Sequence, residues 1–170
     1  MNDRAASQGM IQDAGAPLKL EDFLPYRLNV VASLTSQALA RIYGERYGIG
    51  VPEWRVLVTL GQFGTMTGKA IGAHSHMHKT KVSRAVAVLE KRKLLARRTN
   101  REDLRESFLS LTPAGSAVYN DLAPVAIEFA RRLADAIGPA DRMAFERAVD
   151  RLTECSAKLA AEVTNAKREA

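Results

Sequence analysis

Basic side chains are concentrated in one quarter of this sequence. Residues 66–105 include eleven lysines and arginines and three acidic residues, a surplus of eight, although the whole chain has a net charge of only +6. Lysine and arginine side chains that neutralise phosphates release the counterions condensed on a polyanion, which favours binding. The local surplus therefore predicts a nucleic-acid-binding face. The alternative is a solvated charged surface, which explains most runs of charge.

Two short helical patterns lie in the first part of this basic segment. Thr67 is the predicted cap of a helix over GKAIGAH, and Ser75 is the predicted cap of a second helix over MHKTKVSRAVAVLEKRK. The apolar residues that the second helix would bury are Val82, Ala85, Val86 and Leu89. The polar and basic residues that its N-terminal half would present outward are Lys79, Thr80, Ser83 and Arg84.

A hairpin pattern follows the second helix. Residues 94–99 and 107–111 look like short strands, and the polar residues 100–106 between them favour a turn. Two helices followed by a basic hairpin are typical of a winged helix-turn-helix, in which the second helix enters the major groove. We therefore expect the chain to bind double-stranded DNA.

The exposed side chains of the second helix have different predicted roles. Thr80, Ser83 and Arg84 can reach base edges and phosphates, and an arginine that faces guanine can make a bidentate contact that discriminates sequence. Lys79 and Lys81 are predicted to contact phosphates, which adds affinity without reading the sequence.

Three histidines alternate at His74, His76 and His78, a pattern that suggests a metal site. Alternate residues lie on one side only in a strand, whereas this segment spans a turn and the start of a helix. We therefore predict no metal site. His78 is predicted to contact DNA instead, together with the cap residue Ser75.

The N-terminal third has its own helical patterns. Residues 1–17 show no periodicity and are predicted to form a flexible arm. Apolar residues then recur at intervals of three, four and seven from residue 20 to about residue 48, which predicts a long amphipathic helix. Pro52 begins the next helix, which Gly61 and Gly64 are predicted to close.

Two further helices are predicted after the hairpin. Thr112 and Pro113 provide a cap and a first-turn proline for a helix that should be kinked at Pro124. Gly138 and Pro139 then separate it from a last helix over about 140–167.

The long terminal helices have more apolar surface than a small winged domain needs. An obligate homodimer would bury that surface and place two DNA-reading helices on successive major grooves, about 34–36 Å apart. The predicted fold is mainly α (α+β). We divide it into a flexible arm (1–17), an N-terminal dimerisation helix (18–50), a winged helix-turn-helix (51–112) and C-terminal dimerisation helices (113–170).

Composition restricts the other functional classes. The 170 residues are 46% hydrophobic and 26% charged, which suits a globular protein with one sizeable core. The sequence has neither an apolar run of about 18 residues nor a secretory signal pattern, so we expect a cytoplasmic protein. Cys155 is the single cysteine, and we interpret it as a small buried or interfacial residue rather than a redox sensor.

The sequence resembles the MarR family of bacterial transcription regulators from about residue 20 to residue 162. Residues 79–84, KTKVSR, match the recognition helix of that family. Asp103-x-Arg105, followed by Leu111-Thr112-x-x-Gly115, is similar to its wing and wing exit. The resemblance implies a homodimeric winged helix-turn-helix protein, usually a repressor. It also implies that a small molecule bound near the dimerisation helices lowers the affinity for DNA.

The wing residues take their expected roles from this resemblance and from their chemistry. Arg101 and Arg105 belong to the wing, where a guanidinium can enter a narrow minor groove. Asp103 would restrain Arg105 through an ion pair, although it is alternatively an ordinary turn aspartate. Arg97 resembles a basic position at the base of the wing and would contact the DNA backbone.

Candidate effector-binding residues lie on the first two helices. An arginine beside aromatic side chains suits an aromatic carboxylate or an acyl-CoA, and the candidates are Tyr26, Arg27, Tyr43, Arg46 and Trp54. For the two tyrosines and the tryptophan, core or interface packing is the favoured role.

The leading interpretation is a repressor that a small anionic aromatic compound, or its CoA thioester, releases from a pseudo-palindromic operator. The alternative is a constitutive or architectural DNA-binding protein without an effector. The sequence has no Gly-rich phosphate loop and no nucleophile motif, so we expect neither an enzyme nor a cofactor.

Overall fold

A computed structural model describes residues 17–99 and 106–169. Most of the predicted arm, residues 1–16, and the tip of the hairpin, residues 100–105, lie outside the described residues. The elements are, in order, α1 (Leu24–Tyr47), α2 (Val51–Phe63), β1 (Met66–Thr67), α3 (Gly68–Ser75), α4 (Lys79–Lys91), β2 (Leu95–Thr99), β3 (Ser107–Leu111), α5 (Pro113–Ile137) and α6 (Arg142–Glu169). The chain divides into two compact units, Met1–Ala123 and Pro124–Ala170.

The core of the first unit lies among α2, α3 and α4. These helices bury apolar residues at helical spacing, and the most fully buried are Val56, Leu57, Ile71, Val86 and Leu89. All four core residues predicted for the basic helix are buried, because they recur every three or four positions along α4. The opposite face of α4 is consequently left to solvent.

A three-stranded antiparallel sheet completes this unit, with the strand order β1-β3-β2. The predicted hairpin is confirmed, and its register pairs Leu95 with Leu111 and Arg97 with Leu109. Leu109 is buried at the centre of the sheet, where it also faces Met66 of β1. β1 was not predicted, because two residues are too few to show a period.

Two predicted helix boundaries are corrected. α1 begins at Leu24 rather than at residue 20, with Pro25 in its first turn. Gly61 does not end α2, which continues to Phe63 and is closed by Gly64 at a φ of 75°. A Cβ atom on Gly61 would lie 2.5 Å from the ring of Tyr119. This glycine therefore provides space for an aromatic ring from α5.

Thr112 and Gly115 join the hairpin to α5. The Thr112 hydroxyl accepts a hydrogen bond from the Gly115 N–H at 3.0 Å and donates one to the Lys93 carbonyl at 2.7 Å. The Thr112 N–H donates to the Leu94 carbonyl at 3.1 Å. The predicted cap is thus present, and it also ties the start of α5 to the end of the α4–β2 turn.

Lys93 has a left-handed backbone, with a φ of 58°, immediately after α4. A side chain with a Cβ atom is strained there, because that atom approaches the following carbonyl oxygen. Glycine relieves this strain but has an entropic cost of its own, which is the smaller of the two effects. We therefore expect Lys93→Gly to increase the free energy of unfolding by about 0.5–1 kcal/mol. Urea denaturation measures this change. Lys91→Gly removes the same charge from the last residue of α4, where the backbone is helical, and should destabilise the protein. Equal effects of the two substitutions would therefore contradict the strain at Lys93.

The second unit contains the C-terminal part of α5 and all of α6. α6 has 28 residues, and none of its described side chains is buried. Large apolar side chains of this unit are exposed, namely Ile127, Leu133, Met143, Phe145, Val149, Leu159 and Val163. Cys155, which was predicted to be buried or interfacial, is also exposed in the single chain. An amphipathic helix whose apolar face is exposed is stabilised when another surface packs against that face.

No helix in the described part of the chain is both long and apolar enough to cross a membrane.

Candidate nucleic-acid interface

The N-terminal half of α4 presents the side chains that were predicted to contact DNA. They are all exposed, and they are Lys79, Thr80, Lys81, Ser83 and Arg84. Val82 and Val86 lie buried on the opposite face and hold the helix against the core. The geometry therefore permits this helix to enter a groove with its polar face outward, and the contacts themselves stay a prediction.

The turn between α3 and α4 differs from the predicted one. Ser75 is the last residue of α3, where its hydroxyl donates to the Ile71 carbonyl at 2.6 Å, so its prediction as the N-cap of α4 is wrong. His78 is the N-cap, and its Nδ1 accepts from the Thr80 N–H at 3.4 Å. The cap lies three residues later because Met77 is buried and anchors the turn to the core. Sequence pattern alone favoured Ser75, since serine is the commoner cap.

The three histidines have separate structural positions. The ring of His74 lies against Phe63, with 4.4 Å between the ring centroids. His76 ends α3 with a left-handed φ of 51°, and His78 begins α4. The described ranges contain no group of three or more histidine, cysteine or acidic residues that could hold a metal ion.

The base of the wing contains an ion pair that the sequence pattern does not predict. Arg97 donates from Nε and Nη2 to the two carboxylate oxygens of Glu90, at 2.8 Å and 2.9 Å. This hydrogen bonding lowers the pKa of Glu90 and raises the pKa of Arg97. Arg97 was predicted to contact the DNA backbone, yet its guanidinium is bound to α4. No periodic pattern connects the two residues, because the chain reverses between them.

Arg98 points away from this pair, as expected from the alternation of a strand. Its guanidinium carbon lies 5.8 Å from the centre of the Phe108 ring. The predicted wing contacts Arg101, Asp103 and Arg105 lie outside the described residues, so their roles stay predictions.

A cavity of about 650 Å³ lies between α3, α4 and the hairpin. Its apolar lining includes Met77, Val82 and Leu109, and its polar lining includes Lys69, Lys79, Ser83, Arg97 and the acidic Glu106. Lys79 and Ser83 therefore belong both to this cavity and to the exposed face of α4. Nothing in the sequence pattern indicated the cavity, because its walls come from three separate elements.

The five candidate effector residues do not line one pocket in a single chain. Tyr43 is buried and stacks on Trp54 with 5.4 Å between ring centroids, which supports the favoured role of these two residues in core packing. Burial raises the pKa of the Tyr43 phenol. Arg46 is bound to Asp121 at 3.3 Å. Tyr26 and its neighbour Arg27 are exposed in the first turn of α1, about 25 Å from Tyr43 along the helix.

Comparisons with known proteins agree with this geometry. Residues 47–106 match the model of the MarR family. No curated protein matches the sequence. Solved structures do match it, and 221 chains show significant similarity.

Three of these structures illustrate how similar the fold is to that of known proteins. A MarR/EmrR family transcriptional regulator from Acinetobacter sp. ADP1 has a TM-score of 0.75 at 23% identity, covering 83% of this chain and 99% of its own. A MarR family regulator from Neisseria meningitidis has a TM-score of 0.67 at 25% identity, and the match covers 85% of this chain and 99% of that protein. BpsR from Bordetella bronchiseptica has a TM-score of 0.64 at 20% identity, and the match covers 75% of this chain and 98% of that protein. DNA binding by BpsR is regulated by 6-hydroxynicotinic acid.

Proposed function

We propose that this chain, whose residues 47–106 match the model of the MarR family, is a transcriptional regulator of that family, a homodimeric repressor released from its operator by a small anionic aromatic compound or the CoA thioester of one. The observation that carries the proposal is the exposed basic face of α4 beside a cavity that shares two of its residues. We assign the protein no catalytic activity.

DNA recognition in this proposal depends on α4. The exposed side chains of its N-terminal half combine hydroxyls, lysines and one arginine, a set that can contact both phosphates and base edges. The buried opposite face keeps the helix from rotating, so each exposed residue has a defined direction. Arg84 is the proposed reader of a base edge, and Lys79 and Lys81 are the proposed phosphate contacts.

A second copy of the chain is the proposed cover for the exposed apolar side chains. On α1, Leu28, Val31 and Leu34 recur every three residues and are 46%, 62% and 62% exposed. On α6, Phe145 and Val149 are one helical turn apart and are also exposed. Burial of such stripes is favourable at about 25 cal/mol per Å² of apolar surface. A twofold dimer would cover both helices and would present two copies of α4 to one pseudo-palindromic operator.

The cavity beside α4 is the proposed effector site. Its volume of about 650 Å³ lies within the range for small-molecule pockets. The apolar lining suits an aromatic ring, and the lysines suit a carboxylate. Regulation of the Bordetella bronchiseptica protein by 6-hydroxynicotinic acid provides a precedent for an aromatic ligand. An anion bound beside Lys79 and Ser83 would interfere with the contact between α4 and DNA.

Calorimetry tests this function directly. Selection from random duplexes provides the operator, and titration is expected to show two chains per duplex. A panel of phenolic and pyridine carboxylates and their CoA thioesters is then titrated with and without operator. Ligand and operator should weaken each other by the same factor, roughly 5-fold to 150-fold, because coupling between two binding sites is reciprocal.

Two results would contradict parts of the proposal. A ligand that binds equally well with and without operator would exclude the proposed release mechanism. If no compound of the panel binds and operator binding is normal, the constitutive or architectural alternative gains support. Lys69 lines the cavity, so Lys69→Ala should weaken ligand binding if the effector binds there.

A further inference from the structure

The ion pair between Glu90 and Arg97 connects the two DNA-facing elements of the first unit. Glu90 lies in the last turn of α4, and Arg97 is the central residue of β2. Both carboxylate oxygens accept from the guanidinium, at 2.8 Å and 2.9 Å, which is the bidentate geometry that restricts orientation most. In the part of the chain that the structure describes, this is the only ion pair that joins α4 to the hairpin.

The surroundings of this pair favour a role within the protein over a direct role at DNA. The Glu90 side chain is 29% exposed and that of Arg97 is 47% exposed, so the carboxylate is the better shielded partner. The backbone of Arg97 is also held, because Arg97 is paired with the buried Leu109 of β3. Movement of the hairpin relative to α4 would therefore have to break two charge-assisted hydrogen bonds.

We propose that Glu90 and Arg97 are positioning residues, which set the angle of the wing against α4 and thereby determine specificity for the operator. Arg97 acts on DNA through Glu90 rather than through a phosphate contact of its own. This inference rests on the proposed function, because it assumes that α4 and the wing contact the same duplex.

The charge of Glu90 provides a test, because electrostatics and a positioning role predict opposite changes in operator affinity when that charge is removed. Glu90→Gln removes a negative charge near the basic face, and electrostatics alone would then strengthen binding to every DNA sequence. A positioning role has the opposite consequence for the operator, because the neutral amide cannot accept two charge-assisted hydrogen bonds and the wing loses its orientation. Binding to random DNA does not need that orientation.

The experiment measures the affinities of the dimer for the selected operator and for a random duplex at one fixed salt concentration. Glu90→Gln should weaken operator binding roughly threefold to thirtyfold, in the range expected for residues in direct contact, and should leave random DNA unchanged or tighter. Glu45→Gln makes the same change of charge on α1 and should not weaken operator binding. Urea denaturation confirms that each variant is folded, since a partly exposed pair contributes little to stability.

A charge swap provides the second arm. Glu90→Arg combined with Arg97→Glu restores the pair in reverse, and it should recover most of the operator affinity that Arg97→Glu alone loses. The swap places a carboxylate at position 97, which would repel a phosphate, so recovery supports positioning.

Three outcomes would overturn the proposal. They are tighter operator binding by Glu90→Gln, a swap as weak as Arg97→Glu alone, and equal losses on operator and random DNA. Failure of the wild-type protein to bind any duplex is a distinct result, which would overturn the proposed function itself.

Discussion

Replacing Gly115 with alanine is expected to lower the free energy of unfolding by about 3–5 kcal/mol, the sum of an overpacking cost and a disrupted backbone hydrogen bond. A Cβ atom at this position would overlap the Leu94 carbonyl oxygen and would lie 2.9 Å from the carbonyl carbon. Both atoms belong to the backbone, so no side-chain rotation can relieve the clash. The same Leu94 oxygen accepts the Thr112 N–H, and that bond would be disturbed as α5 moves away.

Urea denaturation followed by the fluorescence of the buried Trp54 measures this effect. Most domains are stable by only 5–15 kcal/mol, so a loss of this size would leave a substantial unfolded fraction in mild denaturant. Gly68→Ala is the matched control, because no atom lies within 4 Å of a Cβ atom there. That variant should unfold within about 0.5 kcal/mol of the wild type. An unchanged midpoint for Gly115→Ala would show that the close approach to Leu94 is not required.

Arg84→Ala is expected to weaken operator binding by about 1–3 kcal/mol and to reduce the preference for operator over random DNA. Arg84 is exposed on the polar face of α4, and the buried Ala85 and Val86 beside it fix the direction of its side chain. Removal of a base-reading side chain from such a helix lowers the affinity only for sequences that offer the matching base.

Lys81→Ala is the comparison variant on the same helix. A lysine that contacts phosphate should contribute equally to all sequences, so this variant should weaken operator and random DNA in the same ratio. It should also reduce the slope of log affinity against log salt concentration by about one per contact. Fluorescence anisotropy across a salt series distinguishes the two residues. If both variants shift operator and random DNA alike, the division between base-reading and phosphate-contacting residues is wrong.

The local features of this fold were predictable because short-range chemistry specifies them. The apolar spacing of Val82, Ala85, Val86 and Leu89 predicts both the helix and its buried face, since one helical face recurs every three or four residues. Thr112 followed by proline predicts the start of α5. The local excess of basic residues predicts a nucleic acid as the partner, because attraction to phosphates depends on charge density and little on the details of packing.

Other features depend on contacts that distant parts of the chain make. The cap of α4 is His78 rather than Ser75 because the burial of Met77 sets the length of the turn. Gly61 lies inside α2 because Tyr119, on another helix, occupies the space beside it. β1 exists only through its pairing with β3.

The order of the helices and of the hairpin, the exposed basic face and the MarR resemblance were therefore predictable, because they follow from residue type and spacing along the chain. Three features were visible only in the folded chain: Arg97 is bound to Glu90, Tyr43 and Trp54 stack in the core, and a cavity lies beside α4. These features require atoms from separate elements to approach within a few ångströms. That approach depends on how the whole core packs and leaves no period in the sequence.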